Sequence, residues 1–406
     1  MTRETNRLMG PFDYEPRFSY DNMVTDFVID PLRGFSVRVE TQMNDMLENY
    51  RFFGGLQTAF DLKSGDVYGE VQYLPHYIDY KIRFDRKVIF WEDATANLQK
   101  YSLQKFEVGA SLPLNVKTRF TLVPFLSYTR YTDRENEDFP SSPPVYLPPE
   151  DQFYGGFKSE LIFDNSLNTG MNIIEGTRGK MSYVYNGGIG NNGASFSQFS
   201  IDIRHYQKIY KEIVLALRGF TGSFFGNAPK NYVLGGMDNW FDNRINYEGL
   251  NNPLYSEEGF NDQLIFTEFA TSLRGFDYAT LYGQSVAMAN AELRIPIVRA
   301  LAGGPITSNF FRNMQFTVFY DIGTGWTGPA PLSQENAARL RVVPDDPSKS
   351  SFRVEIQEYL NPWLYSYGFG FRTMMLGYYM KFDFAWPVEN YTVKDPRIFV
   401  TIGFDF

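Results

Sequence analysis

Arg274 stands in the run Leu273-Arg274-Gly275-Phe276, inside a long gap between two stretches of alternating apolar and polar residues. The alternating stretches that follow carry one carboxylate each, Glu292 and Asp321. A guanidinium presents five donors in a planar fork, so a single arginine can bridge two carboxylates with a geometry that lysine lacks. The chemistry suggested is electrostatic bracing. Gly275 lets the backbone turn tightly or approach a wall closely, and Phe276 supplies a ring to pack a loop tip. The residues fit a second reading as well: Arg274 is a solvated loop residue and the two acids line a wet pore, where exposed ion pairs are worth about 0–1 kcal/mol.

The choice between these readings rests on the elements that carry the acids. Along 285–296, Ala287, Ala289, Ala291, Leu293 and Ile295 share one face, and Asn290, Glu292 and Arg294 share the other. On the next strand Asp321 shares a face with Thr317, opposite Val318 and Tyr320. Both acids are therefore expected on the polar face. Carboxylates on adjacent strands repel unless a cation lies between them.

The same period of two recurs along the chain. Tyr80, Ile82, Phe84, Val88 and Phe90 alternate with Asp79, Lys81, Arg83, Asp85 and Lys87. Ile398, Val400, Ile402, Phe404 and Phe406 form a wholly apolar face at the chain's end, a pattern that a half-buried strand of a soluble sheet would also show. Strands are expected over 17–29, 34–43, 50–61, 67–74, 78–91, 101–112, 118–131, 153–165, 179–187, 196–210, 212–225, 285–296, 314–323, 364–372, 377–386 and 397–406. Many reach the nine to eleven residues, roughly, that a membrane-crossing strand needs. The first is the least regular, because Asp21, Asn22 and Asp26 interrupt its apolar face.

Connection lengths test the pattern independently, since a membrane barrel has short turns on one side and long loops on the other. Gaps at 44–49, 75–77, 115–118 and near Tyr210 are short, and those at 92–100, 134–152, 226–284 and 324–363 are long. Two short-side gaps, 165–178 and 298–313, are of moderate length. The expected fold is all-β: a 16-stranded antiparallel transmembrane β-barrel over 17–406, with a long loop folded into the lumen. Residues 1–16 read as an N-terminal connector. The Pro-rich piece 139–149 reads as a loop, with no domain boundary.

Composition agrees. Aromatic residues make up 17% of the 406, with 38 Phe and 28 Tyr, yet the mean hydropathy is only -0.32, as expected when one face of each strand meets lipid and the other water. No unbroken apolar run of about eighteen residues is present, which excludes a transmembrane helix. The formal net charge of -9 and the lack of a basic patch argue against a nucleic-acid partner. Cysteine is absent, which fits an oxidising compartment but is common elsewhere. Residues 1–6 contain no apolar core of a signal peptide, so a barrel chain of this kind is expected to be a mature or shortened form.

Other signals carry less. Gly188-Ile189-Gly190-Asn191-Asn192-Gly193 matches a dinucleotide-binding fingerprint, but alternation resumes after it where a helix is required. His76 and His205 are the only histidines and lack partners at ligand spacing, so neither a zinc site nor a hydrolase triad is expected; parity puts His205 with Ile201 and Ile203, away from Ser200. The acidic runs 135–138 and Glu257-Glu258 read as solvated charge before calcium ligands. No catalytic residue, cofactor or metal is expected.

Ser272 to Phe276, then Asn290-Ala291-Glu292-Leu293-Arg294-Ile295-Pro296, then Phe319-Tyr320-Asp321-Ile322-Gly323-Thr324-Gly325-Trp326 resemble, in that order, the barrel of the Omp85 superfamily, of BamA-like type. Tyr367-Gly368-Phe369-Gly370-Phe371-Arg372 and Ile402-Gly403-Phe404-Asp405-Phe406 continue the likeness. The resemblance implies that the Arg274 tip of the sixth loop enters the lumen and pairs with Glu292 and Asp321. It implies a weak seam between the first and last strands, near 17–29 and 397–406, where substrate strands enter. Ile402, Phe404 and Phe406 resemble the C-terminal recognition signal of outer-membrane barrels.

The function so implied is non-enzymatic insertion, assembly or translocation of proteins at the outer membrane of a Gram-negative bacterium. Expected partners are outer-membrane lipid, unfolded outer-membrane clients and periplasmic or lipoprotein accessory subunits. A barrel that anchors or exports a fused periplasmic or surface domain is an alternative, and a passive porin is a third. The chain departs from the family pattern in lacking POTRA domains, and in the distance that separates Gly235-Gly236 from Arg274. The region Met43-Asn44-Asp45-Met46-Leu47 looks more like Bacteroidota barrels fused to a periplasmic propeller.

Overall fold

A computed structural model describes residues 14, 16–92, 98–134, 149–190, 193–247, 252–254, 263–302, 304, 306–332, 339–343, 354–358 and 361–406. The expected connector at 1–16 and the acidic runs at 135–138 and 257–258 fall wholly or largely outside them. Alternation over the rest produces sixteen long antiparallel strands. The first four are β1 (Phe18–Asp30), β2 (Gly34–Asp45), β3 (Tyr50–Ala59) and β4 (Gly65–Tyr73). Then come β5 (Asp79–Glu92), β6 (Leu98–Asn115), β7 (Thr118–Arg134) and β8 (Glu150–Asp164). β9 (Ile173–Ile189), β10 (Ser195–Tyr210), β11 (Ile213–Gly226) and β12 (Ser285–Ile295) follow. The set ends with β13 (Gln315–Trp326), β14 (Trp363–Met375), β15 (Tyr378–Glu389) and β16 (Arg397–Ile402).

Each strand pairs with the next in sequence, from β1 with β2 through to β15 with β16. Among the described residues no ladder joins β1 to β16. The interruption expected in the first strand is a register shift between Tyr20 and Asn22.

Several boundaries move for physical reasons. β9 starts at Ile173, before the expected 179, because Leu167–Gly170 folds back on it as a small extra strand. The gap at 298–313 holds two short helices, Ile297–Leu301 and Asn309–Arg312. The last strand, expected to run to 406, stops at Ile402. At Gly403 the chain takes a φ of 109°, and 403–406 leaves the sheet.

The wall has an inverted polarity. Outward-facing Ile82 and Val108, cross-strand neighbours on β5 and β6, are 51% and 44% exposed, whereas Arg274, Arg372, Asp321 and Asp383 are all but completely buried inside. An apolar belt of this extent is expected to face lipid. On the β2–β10 side the lumen keeps polar chambers of about 600 and 460 Å³, lined by Lys87, Lys105 and Lys158 among others.

The other side is filled by the connection between β11 and β12. It forms a small sheet of its own, with Tyr232–Leu234 between Glu268–Ala270 and Leu281–Gly283. Its apolar residues pack against both walls: Val233, Leu254 and Leu264 against Ile89, Trp91 and Tyr101, and Leu234, Leu273 and Phe276 against Val286, Met288 and Leu364.

The lipid assignment is open to test at Ile82, which lies between Val71 and Val108 on the outer face. Ile82→Lys should cost about 2–4 kcal/mol in urea titrations in lipid vesicles. The lumen-facing change Lys81→Gln should stay within about 0.5 kcal/mol. Equal costs would refute the assignment.

Candidate functional site in the barrel lumen

The Arg274 turn is shaped by backbone geometry. Ser272 and Gly275 take φ values of 76° and 92°, and glycine adopts the second without steric cost. A β-carbon at Gly275 would also sit 3.0 Å from Pro387 Cβ, so the turn is pressed against β15. The 235–236 diglycine, far away in sequence, lies directly on this turn. Ser272 and Leu273 N–H both donate to the Gly236 carbonyl at 3.1 Å, and Gly236 N–H donates to the Phe276 carbonyl at 3.0 Å. The long insertion leaves and returns to the same point.

Three of the expected residues meet there. Arg274 Nε and Nη2 donate to the two oxygens of Asp321 at 2.7 and 2.8 Å, and its backbone N–H reaches Asp321 at 3.3 Å. Nη1 lies 3.8 Å from Glu292 Oε1 and 3.8 Å from Asp383 Oδ1. The pairing is therefore two-pronged to Asp321 and looser to Glu292. The guanidinium also sits over the Phe319 ring, 3.6 Å from its centre, a favourable cation–π arrangement. Asn290 Nδ2 donates to Asp321 at 2.8 Å and to the Ser272 carbonyl. Phe276, 2% exposed, anchors the tip in the apolar cluster already described.

Burial decides between the two readings of Arg274. At 1% exposure it is no solvated loop residue. Burial disfavours its charged form, but the charges of Asp321, Glu292 and Asp383 more than offset this and hold its pKa above the ordinary value.

The cluster extends beyond the expected residues. Arg372 on β14 donates to Asp383 at 2.7 Å, to Asp405 at 3.0 Å and to Glu292 at 3.1 Å. Arg294 lies 3.4 Å from Glu292 and donates to the Phe406 carbonyl at 3.0 Å, while Lys381 lies 3.5 Å from Asp405. Arg274, Arg294, Arg372 and Lys381 thus face Glu292, Asp321, Asp383 and Asp405, four charges against four.

Room for this layer comes from Gly370. A β-carbon there would fall 2.1 Å from Asp383 Oδ1 and 2.3 Å from Arg372 Nη1. Arg372 and Asp383 were detectable in principle: each lies on the polar face of an aromatic-rich strand. They pair with each other across one hairpin, but their further partners, Glu292 for Arg372 and Arg274 for Asp383, come from distant parts of the sequence, and spacing does not reveal that.

The three C-terminal residues singled out above separate. Ile402 ends β16, Phe404 is exposed and stacks on Tyr379 with ring centres 5.1 Å apart, and Phe406 packs inside against Ile173, Tyr206, Val214 and Ala216. The single apolar face expected for 398–406 stops at Ile402. Elsewhere, Gly188 and Ile189 of the glycine-rich run end β9, and strand β10 begins at Ser195, while residues 191–192 fall outside the described ones. His205 is on the outer face, 2.9 Å from Thr177 Oγ1.

A sixteen-stranded barrel with an arginine-tipped loop locked to acids of its inner wall defines a class of outer-membrane barrel. The chain belongs to the Omp85 superfamily, whose domain model matches residues 33–406. Barrels of this family are outer-membrane proteins of Gram-negative bacteria. No curated protein sequence matches the chain.

Among solved structures it is similar to BamA from Haemophilus ducreyi lacking POTRA domains 1-3, with a TM-score of 0.59, 14% identity, and coverage of 95% of this chain and 70% of that one. It is also similar to CdiB from Acinetobacter baumannii (TM-score 0.50, 12% identity, 95% and 59% covered). CdiB from Escherichia coli gives a TM-score of 0.50 and 12% identity, with 97% and 63% covered. The chain spans about three-fifths of the CdiB chains. These likenesses establish the fold.

Arg274→Ala should leave Asp321 buried without its cation and cost about 3–5 kcal/mol, read as a lower temperature for loss of the compact band in heat-modifiability gels. Arg274→Lys keeps the charge and loses the fork, and should fall between wild type and Ala. Gly370→Ala should weaken the barrel although it removes no charge, because it displaces Arg372 or Asp383. An unchanged transition in the alanine variant at Arg274 would refute the brace.

Proposed function

We propose that this barrel acts in the insertion, assembly or translocation of proteins at the outer membrane, through the seam between β1 and β16. The observation that carries the reading is the seam itself. Among the described residues β1 forms a ladder with β2 and β16 with β15 but not with each other, which leaves two strand edges in a wall where lipid offers no hydrogen bonds. Such edges are templates for another strand. The loop that fills half of the lumen argues against a passive porin. Arg274, Gly275 and Phe276, with Glu292 and Asp321, act in this reading as a brace that fixes the loop while the seam works. Ile402, Phe404 and Phe406 serve as the signal by which this barrel is itself assembled.

The partners on this reading are outer-membrane lipid, unfolded outer-membrane clients and accessory periplasmic or lipoprotein subunits. No catalytic group is required, because strand pairing supplies the driving force. The anchor alternative predicts a barrel that is inert toward clients.

The test is client folding in vesicles. Vesicles containing the protein should speed the folding of an eight-stranded client barrel by about tenfold or more over empty vesicles. Phe27 on β1 and Tyr378 on β15 face each other across the seam, with ring centres 5.8 Å apart. Cysteines at these two positions joined by a short bismaleimide should abolish the acceleration. A native protein without acceleration sinks the proposal in favour of the anchor, and large steady conductance in planar bilayers would favour the porin.

A further inference from the structure

Hydrogen bonds from the free edge of β16 and from the end of β1 and its turn converge on one short piece of the long β11–β12 connection, residues 239–243. On β16, Gly403 N–H donates to the Tyr379 carbonyl at 2.9 Å, so odd-numbered residues point toward β15. Even-numbered residues then point into the seam, as antiparallel alternation requires. There the Val400 carbonyl accepts from Phe241 N–H at 3.0 Å, and Ile402 N–H donates to the Asn239 carbonyl at 3.3 Å. Trp240 and Thr401 form an antiparallel bridge between them.

The β1 edge is met from the same residues. Ile29 N–H donates to Asn239 Oδ1 at 3.1 Å. Asn243 Nδ2 reaches the carbonyls of Asp30 and Pro31 at 3.3 and 3.4 Å. Asn239 thus touches β16 with its main chain and β1 with its side chain. Asn239 and Asn243 have φ values of 54° and 46°, a left-handed conformation that asparagine tolerates better than most residues.

Aromatic packing seats the segment. Trp240, 2% exposed, stacks on Phe399 with ring centres 4.4 Å apart and lies 5.8 Å from Tyr278. The Tyr278 hydroxyl donates to the Met237 carbonyl. Phe241 meets Phe35 of β2 at 5.7 Å. None of these residues belongs to the Arg274 brace.

We propose that residues 239–241 are a built-in closing strand. The segment occupies the free edge of β16 as an incoming strand would, and Asn239 ties that edge to β1. The seam then accepts another strand only after the segment leaves. The gating half of this proposal rests on the seam function above; the closing half does not.

Hydrogen exchange in lipid nanodiscs tests the closing half. Asn239→Gly keeps the left-handed backbone and removes the side-chain acceptor, so Ile29 N–H should exchange about tenfold faster while amides in the β6–β7 ladder stay unchanged. Asn239→Asp retains an acceptor oxygen and should preserve protection. Unchanged exchange at Ile29 in the glycine variant overturns the tie.

Trp240→Cys with Thr401→Cys tests the gating half. Oxidation should close the disulfide and abolish acceleration of client folding in vesicles, and a reductant should restore it. A disulfide that fails to form, or acceleration that persists once it has formed, overturns the gate. If the native protein shows no acceleration at all, the seam function fails with the gate, while the exchange data still decide whether the segment closes the seam.

Discussion

Everything in this structure follows from the lack of hydrogen-bonding partners in the hydrocarbon of a membrane. A strand that crosses lipid must satisfy its N–H and C=O groups within the protein, and a sheet does so only by closing on itself. Fifteen neighbouring pairings meet that demand with regular ladders running from β1 to β16. The sixteenth junction differs: Val400 and Ile402 of β16 turn to the backbone of residues 239–241, and the end of β1 meets the side chains of Asn239 and Asn243. Among the described residues this junction is the one in the wall without a ladder. A few hydrogen bonds to one loop segment hold it, against the ten to fourteen paired positions typical elsewhere.

Closure around a lumen creates a second problem, since the inner face must be filled or wetted. The β11–β12 connection fills one side, and its apolar clusters supply much of the contact. Packing alone does not specify where a long loop sits, because apolar surfaces slide over one another at small cost. The charge layer supplies position. Desolvating Arg274, Arg372, Glu292, Asp321 and Asp383 is expensive, and a buried ion pair is weak support for net stability. Its force is specific: any displacement of the Arg274 tip strands a buried carboxylate, so one arrangement is far better than its neighbours.

Much of this was legible in the sequence for a plain reason. The period of two maps directly onto inside and outside, so the lumen orientation of Glu292 and Asp321 and the outer position of His205 follow from counting. Strand number followed from repeated alternation and from the rhythm of short and long gaps. What stayed hidden depends on contacts between distant residues. Arg372 reaches Glu292 across 80 positions, and the 235–236 diglycine meets the Arg274 turn across an insertion. The early end of β16 was hidden because Ile402, Phe404 and Phe406 keep the alternating pattern while Gly403 redirects the chain. Asp405 then pairs with Arg372 and Phe406 packs inside, two local gains that outweigh two more rungs of ladder.

The brace and the seam are joined through one short stretch of backbone. Gly236 carries the hydrogen bonds of the Arg274 turn, and three residues later Asn239 carries those of both seam edges. Arg397 at the start of β16 adds a surface contact to Asp277, just past the turn, at 2.7 Å. Asp405, on the tail that follows β16, enters the same charge layer that holds Arg274. Departure of residues 239–241 from the seam therefore acts on Gly236 directly, and movement of the 403–406 tail acts on Arg372 and through it on Glu292. With rigid, close-packed side chains between them, neither element shifts far without straining the other. On the proposed gating, the anchored tip limits how far the closing segment can travel, and the interval between Gly236 and Asn239 is where the backbone has to bend.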